Sequence, residues 1–407
     1  MAAGIRLLGF VEGARCDTGG IGLIGVPLIH KAFAGRGHQD VLAIGGRPMP
    51  SAVPFLVADP EEVFGKNDGG VMGVVSYPAL GRWALSPSLA ASLSRHVRAV
   101  DFVTLHSLFS FPVLAGYVLA RRHRKPYGLW PHGVFAPVQR RVSRRKKAVY
   151  SGLLARKVLG SASVLFYSAR GEREEAARLC LSTPSVVIPH GIETSAYAAL
   201  PTRGEFRRKY LQGHQGPLVL YLGRLNGKKG LDLLIQAIAQ SSQAVPSVRL
   251  VIVGGAHPPA FGGRVVEWIR QHGIDSRTVL TGPLDEQEKL KAFADADVFV
   301  LPSEAENFGF AMFEAMASRL PVVISNTLNY ANEVQRHDAG IAVPREASGF
   351  AAAITALLTD PGRRRQLGEN GARLAAEYSW ERCGERVETA VRCILSREPF
   401  PKDLDPV

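Results

Sequence analysis

The sequence predicts an α/β fold arranged as two parallel-sheet domains in tandem, and three observations carry that expectation. Short apolar, β-branched runs alternate with longer amphipathic segments in both halves of the chain, the rhythm of parallel sheets flanked by helices. Glycine-rich turns follow an apolar run in each half, at Thr18-Gly19-Gly20 and between Gly223 and Gly230. The stretch Pro302 to Pro321 reads as a strand feeding a loop and then a helix, with Glu306 in the loop and Glu314 in the helix.

Composition bounds the answer. With 407 residues, 46% of them hydrophobic and 21% charged, the chain has room for two or three domains that each bury a core. Cys16, Cys180, Cys383 and Cys393 form no C-x-x-C pair and have no histidines at zinc spacing, which fits free thiols in a reducing, cytoplasmic compartment. Met1 to Phe10 looks like a first strand rather than a signal peptide. The most apolar region, Val97 to Ala120, is broken by Arg98, Asp101, His106 and Pro112, short of the roughly 20 apolar residues of a membrane span.

The first half reads as strands at Ile5–Val11, Val41–Ile44, Val71–Val75, Val100–Leu105, Tyr127–Trp130, Val164–Tyr167 and Val186–Ile188. Helices are expected at Ile21–Ala34, from Ser86-Pro87 to Arg98, up to Arg122, over Val138–Val158 and at Arg170–Cys180. Thr18 to Gly25 contains a formal G-x-G-x-x-G, with Asp40 about 20 residues beyond Gly20. It is a decoy for a dinucleotide site: Glu12 to Thr18 separate it from the strand, and Asp40 begins the second strand instead of ending it.

Charge is uneven. Residues 1–195 hold 24 Lys and Arg against 12 Asp and Glu, whereas the rest is balanced at 25 against 24. On Val138–Val158 the basic residues Arg140, Arg144 and Lys147 lie opposite an apolar face, which reads equally as a solvated surface or as a face for an anionic partner. Aromatic residues are not interleaved with the basic clusters as base-stacking platforms would be, so nucleic acid is not the expected partner.

The second half has strands at Leu218–Leu222, Leu250–Val253, Thr278–Leu280, Val298–Leu301 and Val322–Ile324, and closing helices near Phe350–Leu358, Gly362–Ala376 and Trp380–Leu395. Gly223-Arg224-Leu225-Asn226-Gly227-Lys228-Lys229-Gly230 is not a P-loop, because its first interval is one residue short and no Ser or Thr follows Lys228. In the Pro302–Pro321 stretch the amides of a helix start suit an anion. Glu306 and Glu314 are poor phosphate ligands but good acceptors for hydroxyls. A ligand with phosphate in its middle and hydroxyl-rich groups on either side fits that chemistry, and a nucleotide sugar is such a ligand.

Glu306, seven residues and Glu314, framed by Pro-Ser-x-x-Glu-x-Phe-Gly, Glu-Ala-Met-Ala and Pro-Val-Val, resembles the family-four retaining glycosyltransferases, also called glycosyl transferases group 1. The resemblance extends over nearly the whole chain, to the helix at Trp380–Leu395. It implies the GT-B fold, two facing Rossmann-like domains with a cleft between them, bounded here as residues 1–197, 198–378 and a 379–407 helix and tail crossing back to the first domain.

The resemblance further implies that Arg224 and Lys229 grip the donor diphosphate. Glu306 would meet the hydroxyls of the transferred sugar, Glu314 the ribose, and the amides near Asn307, Phe308 and Gly309 the phosphate and sugar. Gly19 and Gly20 match the glycine pair of the loop facing the cleft, and His132, in Trp130-Pro131-His132-Gly133, matches the histidine facing sugar and acceptor. His106 has a weaker claim, and His190 stands where an asparagine is usual. Asp295-Ala296-Asp297 is a formal D-x-D in a structural context, so no metal and no cofactor are expected. The Trp130–Phe135 run resembles transferases of bacterial surface polysaccharides, which implies a saccharide or lipid-linked acceptor and peripheral contact with an anionic membrane. The rival expectations are a sugar-nucleotide-binding protein without turnover and a transferase with a small soluble acceptor.

Overall fold

The computed structural model describes residues 4–12, 25–46, 59–65, 70–81, 83–135 and 154–404. Gly19 and Gly20, and the basic face of Arg140, Arg144 and Lys147, lie outside those residues. The chain divides into two compact units, one formed by Met1–Gly191 with Trp380–Val407, the other by Ile192–Ser379.

The first unit is built on a seven-stranded parallel sheet. Its strands are β1 (Arg6–Glu12), β2 (Gln39–Gly45), β3 (Val71–Tyr77), β4 (Phe102–His106), β5 (Tyr127–Trp130), β6 (Val164–Tyr167) and β7 (Ser185–Val187), in the order β3-β2-β1-β4-β5-β6-β7. The order reverses between β1 and β4, which is where doubly wound sheets open a crevice at the strands' carboxyl ends. β2, β4, β5 and β6 are buried along their whole length, which explains why they read as continuous apolar runs rather than alternating ones.

Two packing details shape this unit. A Cβ on Gly9 would lie 2.3 Å from the His30 ring, so the absent side chain in β1 is what lets His30 of the Gly25–Ala34 helix lie against the sheet. The closing helix, Trp380–Ser396, packs on the Gly25–Ala34 helix, with Gly384 against the Ala32 backbone. Glu388 of that helix binds Arg36, and its second oxygen lies 3.3 Å from His38 Nε2.

The second unit carries a six-stranded parallel sheet of β8 (Leu218–Leu222), β9 (Arg249–Val253), β10 (Thr278–Gly282), β11 (Val298–Leu301), β12 (Val322–Ser325) and β13 (Gly340–Val343). The order is β10-β9-β8-β11-β12-β13, so β8 and β11 flank its switch point. β13 is the strand that the sequence pattern did not reveal. Only four residues long, at the sheet edge, with just Gly340 buried, it lacks the apolar run that marks the inner strands. No helix among the described residues is long and apolar enough to cross a membrane.

Candidate active site

At the end of β8 the chain turns through Gly223–Gly230. Tyr221, fully buried in the strand, donates its hydroxyl to the Arg224 carbonyl at 3.0 Å and pins the loop's first bend. Asn226 Oδ1 accepts from the Lys228 amide at 3.0 Å and caps the short 3-10 turn Gly227–Lys229. The Glu304 amide donates to the Lys228 carbonyl at 2.7 Å, tying this loop to the one that follows β11.

That tie brings the two loops' charges together: Lys229 Nζ is ion-paired with Glu306 Oε1, both side chains about five-sixths buried at 17% and 16% exposure. Burial, and then the charge of Glu306, push the Tyr221 phenol well above its ordinary pKa, so it stays a neutral donor beneath the pair. Arg224 is exposed on the same loop.

Beyond Glu306 the chain reaches Gly309, whose φ of +88° makes it the left-handed N-cap of the Phe310–Ala317 helix. The Phe308 side chain does not face solvent. It is 2% exposed, parallel to Phe313 at 4.3 Å and edge-on to Tyr330 at 5.5 Å, so what Phe308 can offer a ligand is its backbone. The Asn307 carbonyl accepts from Asn329 Nδ2 at 3.0 Å, and Asn307 Nδ2 is buried with no hydrogen-bond partner among the described residues. The Met312 amide already donates to the Gly309 carbonyl at 2.9 Å, closing the first turn of the helix; a helix start is where backbone amides suit an anion.

Glu314, in the middle of that helix, is held by Lys289, whose Nζ lies 3.2 Å from Glu314 Oε1 and 2.9 Å from Glu286 Oε2. Burial works against the Lys289 charge, but Glu314 and Glu286 more than offset it and raise its pKa. The same ammonium sits 5.7 Å over the Tyr197 ring.

In the first unit His132 follows β5 with a φ of +55°, and Gly133 continues the turn at +74°. The turn is held by Glu172, buried at 1%, whose carboxylate accepts from the Gly133 amide and, at 2.9 and 3.0 Å, from the Ser168 amide and hydroxyl. Burial raises the Glu172 pKa, and those hydrogen bonds partly counter it. His132 Nε2 lies 3.0 Å from His106 Nδ1, and its ring stacks within 5.8 Å of both Trp130 and His190. Burial, followed by the nearby His30, pulls the His132 pKa down to about 3, and burial likewise holds His106 and His190 neutral.

Comparison with known proteins decides the family. Residues 28–196 match the family model described as Glycosyltransferase Family 4, and residues 202–374 the one described as Glycosyl transferases group 1. The chain belongs to the family-four, group 1 glycosyltransferases. It is 27% identical over 270 residues to D-inositol 3-phosphate glycosyltransferase of Kineococcus radiotolerans, a match covering 61% of each chain. It is 29% identical over 219 residues to a GDP-mannose-dependent alpha-(1-6)-phosphatidylinositol monomannoside mannosyltransferase of Mycobacterium tuberculosis, covering 50% of this chain and 55% of that one. The chain thus spans about three-fifths of the first relative and just over half of the second. Among solved structures it is similar to Anabaena HepE in complex with UDP and glucose, with a TM-score of 0.75 at 18% identity over 95% of this chain and 99% of that one. That likeness places it in the GT-B fold.

Within this family frame the D-x-D residues are structural in the second unit. Asp295 accepts from the amides of Gly204 and, at 2.8 Å, Arg207, while Asp297 binds Arg203 at 2.5 Å, Arg207 at 3.0 Å and the Leu218 amide at 2.8 Å. Sequence reasoning missed Lys289, Tyr221 and Glu172. Lys289 sits in an otherwise polar helix and Glu172 in a run of charges, so neither stands out until the fold brings Glu314 and the Gly133 amide to them.

Proposed function

We propose that this protein transfers a sugar from a nucleoside-diphosphate sugar to a saccharide or lipid-linked saccharide acceptor with retention of the anomeric configuration. The observation that carries the reading is the Lys229–Glu306 pair beside Arg224, set where β8 and β11 end at the switch point of the second sheet. Arg224 and Lys229 take the diphosphate, Glu306 the hydroxyls of the transferred sugar, and Glu314, steadied by Lys289, the ribose. The amides of Asn307–Gly309 meet phosphate and sugar.

As the glycosidic bond breaks, negative charge gathers on the departing diphosphate. Fixed cations aimed at it therefore stabilise the transition state more than the ground state. Each such contact is worth about 1.5–3 kcal/mol, and two of them do the neutralising work of a divalent metal, so the reaction is metal-independent. The leaving phosphate takes the proton of the acceptor hydroxyl on the same face of the sugar. His132 is the acceptor-side group of the first unit, and the Gly19-Gly20 loop serves the donor.

The curated relatives act, by name, on inositol 3-phosphate and on a phosphatidylinositol mannoside. Together with the excess of positive charge in residues 1–195, this supports envelope or exopolysaccharide synthesis at the inner face of a membrane. Incubation with a panel of nucleotide sugars, scored for nucleotide release with and without acceptor and for the anomeric configuration of the product, tests the reading. Nucleotide binding without release under any pairing would leave a binding protein instead.

A further inference from the structure

Behind His132 lies a continuous row of side chains that the proposed transfer does not use. His132 Nε2 is 3.0 Å from His106 Nδ1, His106 Nε2 is 2.9 Å from His30 Nε2, and His30 Nδ1 is 2.7 Å from Asp40 Oδ1. Asp40 and His106 are fully buried and His30 is 2% exposed. The row crosses the sheet from β2 through the Gly25–Ala34 helix and the end of β4 to the turn after β5, and it exists because Gly9 leaves room for the His30 ring. At its two ends, Asp40 Oδ2 and His132 Nδ1 are buried without a partner among the described residues.

We propose that Asp40, His30 and His106 are positioning residues forming one proton relay, which sets whether His132 Nδ1 accepts or donates a hydrogen bond. The reasoning is a count of protons. A neutral imidazole carries one N–H and one bare nitrogen, and each of the three short contacts holds one proton.

When Asp40 is ionised, the contact at its end is filled by His30 Nδ1–H. His30 Nε2 is then bare and accepts from His106 Nε2–H; His106 Nδ1 accepts from His132 Nε2–H, and His132 Nδ1 is left as an acceptor. Adding one proton at His132 Nδ1 passes His132 Nε2–H to His106 Nδ1, His106 Nε2–H to His30 Nε2, and His30 Nδ1–H to Asp40 Oδ1. Every contact reverses, Asp40 ends as the neutral acid, and His132 Nδ1 becomes a donor. No ring is left doubly protonated in either state, which suits a site where burial keeps His106 and His132 neutral.

The groups that face the relay are few among the described residues. Thr104 Oγ1 is 3.3 Å from His30 Nε2, and His190 and Trp130 stack on His132. Glu172 grips the adjoining Gly133 amide. Asp40 is desolvated and, among the described residues, its side chain is bonded only by His30, so it takes up its proton above the ordinary carboxylate pKa of 3.8.

The inference rests on the transferase reading only for what meets His132 Nδ1, and its test needs no substrate. Nitrogen-15 NMR of the imidazole rings in the full-length protein distinguishes protonated from bare ring nitrogens. At the alkaline end of the range in which the chain stays folded, His30 is expected to carry its proton on Nδ1, with His106 and His132 carrying theirs on Nε2. On acidification all three reverse with one shared midpoint. Asp40→Asn, which cannot take up the proton, loses that shared reversal, and His106→Leu, which interrupts the row, uncouples His132 from it should the first variant not fold. Rings that titrate independently, a His132 tautomer constant across the range, or a His132 midpoint unchanged in Asp40→Asn would overturn the relay while leaving the transferase assay unaffected.

Discussion

Lys229 and Glu306, 77 residues apart in sequence, meet as an ion pair at the ends of β8 and β11. The cation assigned to the diphosphate and the carboxylate assigned to the sugar thus hold each other in place. Such a pair fixes the orientation of both groups, a form of preorganisation.

If Lys229 stabilises charge on the departing diphosphate, Lys229→Ala lowers kcat/KM by about 100-fold, equivalent to about 2.7 kcal/mol of barrier. Steady-state kinetics on the folded variant checks this. Activity within a few-fold of the parent would remove Lys229 from the mechanism.

Lys289 touches Glu314 rather than the reacting atoms, so its loss is felt in donor binding. Lys289→Met, which keeps the apolar stem over Tyr197 but drops the charge 3.2 Å from Glu314, raises the donor KM about tenfold with little change in kcat. An equal fall in kcat and kcat/KM would place Lys289 in the transition state instead.

Metal independence and the structural role of Asp295 are checked together. Activity is expected to persist in excess chelator, whereas Asp295→Ala, which strips the acceptor from the Gly204 and Arg207 amides at the start of the Glu205–Tyr210 helix, is expected to cost about 3 kcal/mol in urea unfolding. Loss of activity in chelator, restored by manganese or magnesium, would contradict the first half.

Arg319 occupies a left-handed position, φ +57°, a backbone conformation that glycine adopts without strain. The Leu320 amide bonds the Ala315 carbonyl at 3.0 Å and the Arg319 amide the Met316 carbonyl at 2.9 Å, a Schellman close in which a side chain is a liability. Arg319→Gly raises stability by about 1 kcal/mol. Thermal unfolding reads the change, and a lowered midpoint would mean that the exposed guanidinium contributes more than its backbone strain costs.

The proposed contact with a membrane rests on the basic first half of the chain. Each basic residue near an anionic leaflet contributes about 1 kcal/mol. Binding to anionic vesicles at low salt is therefore expected to weaken with added salt and when Arg140, Arg141, Arg144, Arg145, Lys146 and Lys147 are replaced by Gln. Co-sedimentation that is absent, or indifferent to those changes, would remove the membrane role and leave the transferase reading untouched.

Local pattern was enough for most of the architecture. Inner strands such as β4 and β11 are short runs buried on both faces, and the Pro302–Pro321 segment carries its own loop, cap and helix within 20 consecutive residues, so Glu306, Gly309 and Glu314 could be placed without coordinates. What the sequence could not show is whatever depends on separate segments meeting. β13 has too little buried surface to stand out, Phe308 turns inward onto Phe313 and Tyr330, and Lys289 becomes a partner of Glu314 only through packing.

Asp40 makes the same point from the other side. In sequence it was the stray acid of a false dinucleotide motif, and its neighbours are ordinary strand residues. Only the parallel register of β1 with β2 and β4, and the gap at Gly9, set it in line with His30, His106 and His132. Hydrogen bonds reach about 3 Å, and no spacing along a chain encodes which distant side chains will come that close.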